Sequence, residues 1–165
     1  MAPNDRTVFN GPVETGLRSA AILSQSFPET MSLQRLIVFD YLTVHSDDVE
    51  GGPVGLHPKT PYRGSEVLVR REVIQDGLLL YQSRGLVRVE YAESGVGYGA
   101  TDSTGSFLDA FGAPYVGGIR ERAGWVTEQF AGYDDVSLYR SVGERIGQWG
   151  AEFEVESRLR DEHDS

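Results

Sequence analysis

The chain has 165 residues, which suits one domain, or one domain with a helical extension, burying roughly two-thirds of its unfolded surface. Its net charge of -10, from 25 acidic and 15 basic residues, lacks the basic surplus of a dedicated nucleic-acid-binding protein, and the absence of cysteine excludes disulfides, thiolate zinc sites and a thiol nucleophile. No apolar run approaches the ~20 residues that cross a bilayer, and the first residues do not read as a secretion signal, so we expect a cytoplasmic protein with no membrane contact.

The first part of the chain predicts a polar arm and two helices. Residues 1–12 contain Pro and Gly and are expected to form a flexible N-terminal arm. Apolar residues at helical spacing predict a helix over Glu14–Phe27, and Ser32 is a suitable N-cap for a second helix over residues 33–44. This second helix is apolar nearly all round, so it should be the buried centre. Asp40 within it is either a partly buried ion pair, with an arginine of the third helix as one candidate partner, or a junction with the following loop.

A third helix and a β-hairpin follow an irregular loop rich in Gly and Pro over residues 45–64. Gly85 stands where a helix end favours a left-handed residue. Apolar and polar residues alternate over 87–91, a turn is predicted at 93–95, and a returning strand follows over 96–100. Three helices and a hairpin in this order predict a mainly α fold with a small β-hairpin, organised as a winged helix-turn-helix module.

We assign this winged-helix-like module to residues 13–102 and a helical extension to residues 103–153, followed by a polar tail over 154–165. Two apolar stripes of matching spacing, separated by a short polar turn, predict that the extension is an antiparallel helical hairpin. The stripes are Tyr115, Ile119, Ala123, Val126 and Phe130, then Leu138, Val142, Ile146, Trp149 and Phe153.

No catalytic or metal-binding motif stands out in the sequence. It has no nucleophile elbow, no phosphate-binding glycine loop and no H-E-x-x-H zinc motif. A metal cluster of His45, Asp47, Asp48 and His57 is conceivable, but the spacing fits no known site and the glycine- and proline-rich loop fixes no geometry. The alternative, a loop held by hydrogen bonds to its backbone, is preferred. We therefore expect no enzyme activity, no cofactor, no metal and no small-molecule substrate.

Several arginines surround the third helix and the hairpin, where a winged helix contacts phosphates and bases. The residues considered for nucleic-acid contact are Arg70, Arg71, Arg84 and Arg88. Acidic residues are interleaved with them, and mixed charge weakens the field that attracts DNA. A solvated face or a protein-binding face is the favoured interpretation, with DNA contacted only weakly or indirectly.

Aromatic and small residues of the helical extension are candidates for partner binding. Tyr115, Trp125 and Trp149 could simply be core residues, but Trp and Tyr are also favoured anchors in protein interfaces. Gly147, beside Trp149, would let a partner backbone approach closely.

Five segments of the sequence form a distinctive set. They are FNGPVETGLRSAAIL, SLQRLIVFDYLTVHSDD, LHPKTPYRGSEVLVRREVIQDGLLLYQSRGLVRV, APYVGGIRERAGWV and GQWGAEF. As a set they resemble the middle component of bacterial ABC-three-component systems, with FDYLTVHS and LHPKTPYRGSE as the most distinctive motifs. The similarity runs from about Phe9 to Phe153.

The resemblance implies a non-enzymatic adaptor subunit that links an SMC-like ABC ATPase to an effector in an anti-phage or anti-plasmid system similar in layout to Lamassu-type defence. It carries over no catalytic residue. The alternative function is a winged-helix transcriptional regulator that acts as a homodimer. A regulator should present a basic stripe and a two-fold interface, whereas an adaptor should present unlike surfaces to unlike partners.

Overall fold

The computed structural model describes residues 11–57 and 63–146. Over these residues the chain is mainly helical with one antiparallel β-hairpin, as expected from the sequence, and a short 3-10 turn over Ser46–Asp48 follows the second helix. The elements are α1 (Pro12–Gln25), α2 (Leu33–Val44), α3 (Arg63–Ser83), β1 (Val87–Ala92), β2 (Gly95–Ala100), α4 (Thr104–Asp109), α5 (Pro114–Gln129) and α6 (Asp135–Ile146).

Local sequence signals explain where these elements begin and end. Helix α1 begins with Pro12 at its first turn, where the missing N–H is not needed. The hydroxyl of Ser32 accepts a hydrogen bond from the backbone N–H of Arg35 at 3.1 Å, which confirms the predicted N-cap of α2. Gly85 has a φ of 71° in the turn after α3, which confirms its left-handed conformation.

Helices α1 and α3 cross in direct backbone contact at two glycines. A Cβ atom on Gly16 would lie 2.3 Å from the ring of Tyr81, and one on Gly77 would lie 2.7 Å from the backbone nitrogen of Gly16. The hydroxyl of Tyr81 donates to the carbonyl of Val13 at 2.9 Å beside this crossing. Because α1 is buried from Thr15 to Leu23, it runs through the centre of the protein.

The hairpin joins this core through an apolar face and through Met31. Strands β1 and β2 pair with Val87 opposite Ala100, Val89 opposite Tyr98 and Tyr91 opposite Val96, so these six residues share one face. Val87 and Ala100 are buried at the base of the hairpin, while Tyr91 and Val96 are exposed near its tip. Met31 exchanges backbone hydrogen bonds with Tyr98 at 2.8 and 2.9 Å and so pairs with the outer edge of β2.

The last three helices contribute to the same core as the first three. Ile119, Ala123, Val126 and Phe130 of the first predicted stripe are buried, as are Leu138 and Val142 of the second, whereas Tyr115 is half-buried. These buried residues belong to one continuous cluster that includes the core of α1, α2 and α3.

The predicted helical hairpin differs from the structure in its packing. In the part of the chain that the structure describes, α5 packs mainly on α1 and α2, and α6 packs on α2. The described residues of the two stripes therefore face the common core rather than each other, while Trp149 and Phe153 of the second stripe lie outside the described residues. Among the helices within 11–57 and 63–146, none combines the length and apolar character that crossing a membrane requires.

Candidate functional site

Three charged side chains meet in the protein interior, where α1, α2 and α3 converge. Asp40 of α2 is fully buried, and Arg18 of α1 and Arg70 of α3 are 1% and 6% exposed. Arg18 Nε donates to Asp40 Oδ1 at 2.8 Å and its Nη2 donates to Oδ2 at 3.3 Å. Arg70 Nη1 also donates to Oδ2. This structure confirms the ion pair between Asp40 and an arginine of the third helix and adds a second arginine, Arg18, which the sequence analysis missed.

The electrostatics of this cluster favour the ionised carboxylate. Burial by itself raises the pKa of Asp40, but the charges and hydrogen bonds of Arg18 and Arg70 outweigh it, so the pKa lies below its ordinary value. Burial by itself lowers the pKa of Arg18, yet the charge of Asp40 raises it overall. Asp40 is consequently charged near neutral pH and is unsuited to act as a proton acceptor there.

A layer of rings lies beside the charged cluster and extends it to the loop after α2 and to α5. His57 Nε2 and the hydroxyl of Tyr115 are 2.8 Å apart, and their rings are nearly parallel. The ring of His45 lies edge-on to His57, with 6.4 Å between the centroids. The guanidinium of Arg70 lies 5.5 Å from the centroid of Tyr41, whose hydroxyl donates to Asp48. Four helices and a loop thus meet around Asp40.

His57 is held in its neutral form by these surroundings. Burial lowers its pKa to about 4, and the positive charge of Arg18 acts in the same direction. Asp40 opposes this shift without cancelling it. His57 is therefore uncharged at neutral pH. Its Nε2 atom donates a hydrogen bond to the hydroxyl of Tyr115 or accepts one from it, depending on the tautomer.

The arrangement holds the loop after α2 against the helices that surround it. The backbone N–H groups of Leu56 and His57 both donate to the carbonyl of Val44, at 2.9 and 3.1 Å, which anchors the loop against the end of α2. Considering only the residues that the structure describes, no three His, Asp or Glu side chains are grouped as a metal site requires.

The arginines predicted for nucleic-acid contact occupy very different environments. Arg70 is in the core, and its guanidinium bonds Asp40. Arg71 is half-buried near Tyr98, while Arg84 is exposed. Arg88 donates to the carbonyls of Ala100 and Pro28 and to Glu90. These four side chains do not form one basic surface, because two of them are engaged by acidic groups of the protein itself.

The solvent-facing side of α3 is acidic and partly apolar. Helical spacing places its exposed residues on one side, opposite the buried Ile74, Gly77, Leu78 and Tyr81. This α3 face consists of Glu72, Gln75, Asp76, Leu79 and Ser83. Over residues 70–83, the part of α3 whose side chains the structure describes, this face contains no arginine or lysine, and Leu79 is 64% exposed.

The residues predicted to bind a partner protein are only partly covered by the structure. Tyr115 is half-buried and linked to His57, and Trp125 is half-buried against the core. Gly147 and Trp149 lie outside the described residues.

A second polar cluster, at the N-terminus of α2, was also missed by the sequence analysis. The guanidinium of Arg35 donates to the carbonyls of Phe130 and Tyr133 at 2.9 and 2.7 Å and to Asp135 at 3.3 Å. The hydroxyl of Ser32 donates to the same Asp135 at 2.7 Å. This Arg35 clamp fixes the connection between α5 and α6 on α2. No sequence signal pairs residues about a hundred positions apart, so it could not be predicted.

Together, the described residues define a mainly helical protein with a β-hairpin, in which Asp40, Arg18 and Arg70 form a buried charged cluster. Residues 8–152 match the family of ABC-three component (ABC-3C) system Middle Component 2, and the chain belongs to this family. This confirms the resemblance seen in the sequence, and a middle component of a three-component system implies protein partners. No curated protein and no solved structure shows a significant match.

Proposed function

We propose that this protein is a non-enzymatic adaptor that links an SMC-like ABC ATPase to an effector in a bacterial anti-phage or anti-plasmid system, and that it works in the cytoplasm. The observation that carries the proposal is membership of a middle-component family, since a middle component needs surfaces for other subunits. The internal use of Asp40, Arg18 and Arg70 supports a structural rather than a catalytic role for the conspicuous charged cluster.

The charge of the surface supports protein partners over DNA. A DNA-binding helix needs arginine or lysine toward the phosphates, whereas the α3 face carries Glu72 and Asp76 around the exposed Leu79. The net charge of -10 adds a general repulsion from nucleic acid. A partner with basic residues around an apolar depression would complement this face.

The proposed architecture of the adaptor is a winged helix. The order of α1, the Met31 bridge, α2, α3 and the β1–β2 hairpin is compatible with such a module. We propose that the α3 face contacts one partner, and that Trp125, with Gly147 and Trp149 further along the chain, contacts the other. Two unlike surfaces are what a linking subunit requires.

Co-expression with an SMC-like ABC ATPase and an effector of the same three-component system tests the adaptor role. The intact protein should co-purify with both, and the double reversal Glu72→Arg with Asp76→Arg should release one of them. Glu29→Arg with Glu50→Arg is the matched control, because both positions are exposed and the charge change is the same. Failure of the intact protein to bind either component would refute the proposal.

Fluorescence anisotropy separates the adaptor from the alternative regulator. We expect weak binding to duplex DNA without sequence preference at physiological salt. Submicromolar binding to a specific promoter by this chain alone would instead support a homodimeric winged-helix regulator.

A further inference from the structure

Strand β1 has an open hydrogen-bonding edge. Met31 uses both backbone groups of Tyr98, so these groups point away from β1. In an antiparallel pair the residue opposite then also directs its N–H and C=O outward. That residue is Val89, and by the two-residue period of a strand Val87 and Tyr91 do the same. The outer edge of β1 thus presents three residues with outward backbone groups.

Nothing in the described part of the chain pairs with this edge. The N–H and C=O groups of Val89 and Tyr91 make no hydrogen bond beyond the hairpin there. Tyr91 is 83% exposed, and the neighbouring Glu90 is exposed as well. An edge strand with unpaired backbone groups is a template for another strand.

The sequence of β1 is self-complementary about Val89. From residue 87 to 91 it reads apolar, basic, apolar, acidic, apolar. If a second copy pairs antiparallel with a two-fold axis at Val89, Arg88 lies opposite Glu90 of the second copy, and Val87 lies opposite its Tyr91. The adjacent register with the same backbone groups outward would place the two copies of Glu90 opposite each other, which is unfavourable. Charge therefore favours the register centred on Val89, which pairs Arg88 with Glu90, over the register centred on Glu90.

We propose that two copies of this chain associate through β1, forming a four-stranded antiparallel sheet across a two-fold axis at Val89. Each copy contributes the same strand, as an isologous interface requires. The apolar face of the hairpin then continues from one copy to the other, and the exposed ring of Tyr91 is brought to the base of the second copy's hairpin, where Val87 is buried. The opposite face carries alternating Arg88 and Glu90 side chains from both copies.

Sedimentation equilibrium of the 165-residue chain, over concentrations up to about 1 mM, measures this association directly. The average mass should rise with concentration toward twice the monomer mass. Val89→Pro removes an N–H that the β1–β2 ladder does not use, so the hairpin should persist while the dimer loses the hydrogen bonds at its axis. We expect the dissociation constant of the dimer to rise at least about tenfold.

Charge reversal provides an independent variant that leaves the backbone unchanged. Glu90→Arg places like charges opposite Arg88 of the second copy and should also shift the equilibrium to monomer. Glu93→Arg is the matched control, since it makes the same charge change in the turn, outside the paired residues. Circular dichroism confirms that each variant is folded.

Hydrogen exchange locates the interface. The amides of Val89 and Tyr91 should become protected as concentration rises, while those of Arg88 and Glu90, which face β2, should be protected at every concentration. A chain that stays monomeric over the whole concentration range overturns the proposal. This holds even if a different protein covers the edge of β1 in the cell, because the proposal is that two copies of this chain pair. A dimer unaffected by both Val89→Pro and Glu90→Arg overturns it too, because the contact then lies elsewhere.

Discussion

Helix α2 takes part in two arginine–aspartate clusters that differ in their contact with water. Near its C-terminal half, Asp40 is 0% exposed between Arg18 and Arg70. At its N-terminus, the Arg35 clamp joins side chains that are 15% exposed for Arg35 and 42% exposed for Asp135. The same chemical groups therefore interact in one place without solvent and in the other with partial exposure to solvent.

The difference shows that burial, not the mere presence of an ion pair, decides how much stability is lost when one partner is removed. In the interior, removing one charge leaves the others unsolvated, and the penalty is large. In the Arg35 clamp, water can replace the carboxylate, and the bonds from Arg35 to backbone carbonyls carry most of the effect. The following predictions test this contrast from the largest expected effect to the smallest.

Replacing Asp40 should be the most damaging change. Asp40→Ala leaves two buried guanidinium groups without their carboxylate, and the free energy of unfolding should fall by about 3–5 kcal/mol in urea titrations. Asp102→Ala, at an exposed aspartate, is the control and should change it by less than about 0.5 kcal/mol. If Asp40→Ala does not fold, Asp40→Asn, which keeps one oxygen acceptor, should give a folded protein of intermediate stability. Equal stability of all three variants would contradict the predicted difference between buried and exposed charges.

Acid should weaken the interior in two stages. The pKa of His57 is lowered to about 4 in the folded protein, so between pH 6.5 and 4 the unfolded chain binds more protons and stability falls as pH falls. The ring is partly solvated, so we expect a loss of roughly 1–2 kcal/mol in this window. The pKa of Asp40 is also lowered in the folded protein. Its contribution to the free energy of unfolding is therefore complete above pH 3.8 and is lost as the pH falls through the pKa of Asp40 in the folded state.

Unfolding at a series of pH values measures both stages. His57→Gln should remove the dependence between pH 6.5 and 4 while leaving the steeper loss below it. The same slope in this variant would assign the first stage to another group.

Removing the guanidinium of the Arg35 clamp should have an intermediate effect. Arg35→Ala loses bonds to two carbonyls and to Asp135, and we expect a loss of about 1–2 kcal/mol in thermal or urea unfolding. Arg84→Ala is the matched control, because this arginine is exposed. A loss as large as that of Asp40→Ala would mean that solvent exposure does not separate the two clusters.

The surface pair on the hairpin should contribute least to the fold. Arg88 and Glu90 are in contact, but Glu90 is largely exposed. Glu90→Gln should change the stability of the monomer by less than about 0.5 kcal/mol, measured at low protein concentration. A loss above 1 kcal/mol would show that exposed pairs matter more here than burial predicts.

Local signals in the sequence predicted much of the fold. The second helix was placed at residues 33–44 with Ser32 as its cap, as observed. The hairpin was expected at the right residues, because alternation along a strand and the glycine after α3 are read from neighbouring positions. Asp40 attracted attention because a lone carboxylate on an apolar helix needs a partner.

Contacts between distant segments could not be predicted in the same way. Arg18 is the only basic residue of a helix that otherwise looks like an ordinary core helix, and nothing near it in sequence indicates Asp40. The packing of α5 on α1, rather than on α6, depends on a competition between apolar surfaces that one sequence does not rank. The burial of Arg70 against Asp40 likewise depends on how α1, α2 and α3 pack, which the residues next to Arg70 in sequence do not indicate.

The central position of α1 has a consequence for synthesis. This helix leaves the ribosome before α5, one of the elements that cover it, which lies about a hundred residues later in the chain. Closing so long a loop is slow compared with local helix formation. A nascent chain released before α5 would expose the apolar side of α1 to chaperones and proteases, so assembly with other subunits has to wait until α5 has been made.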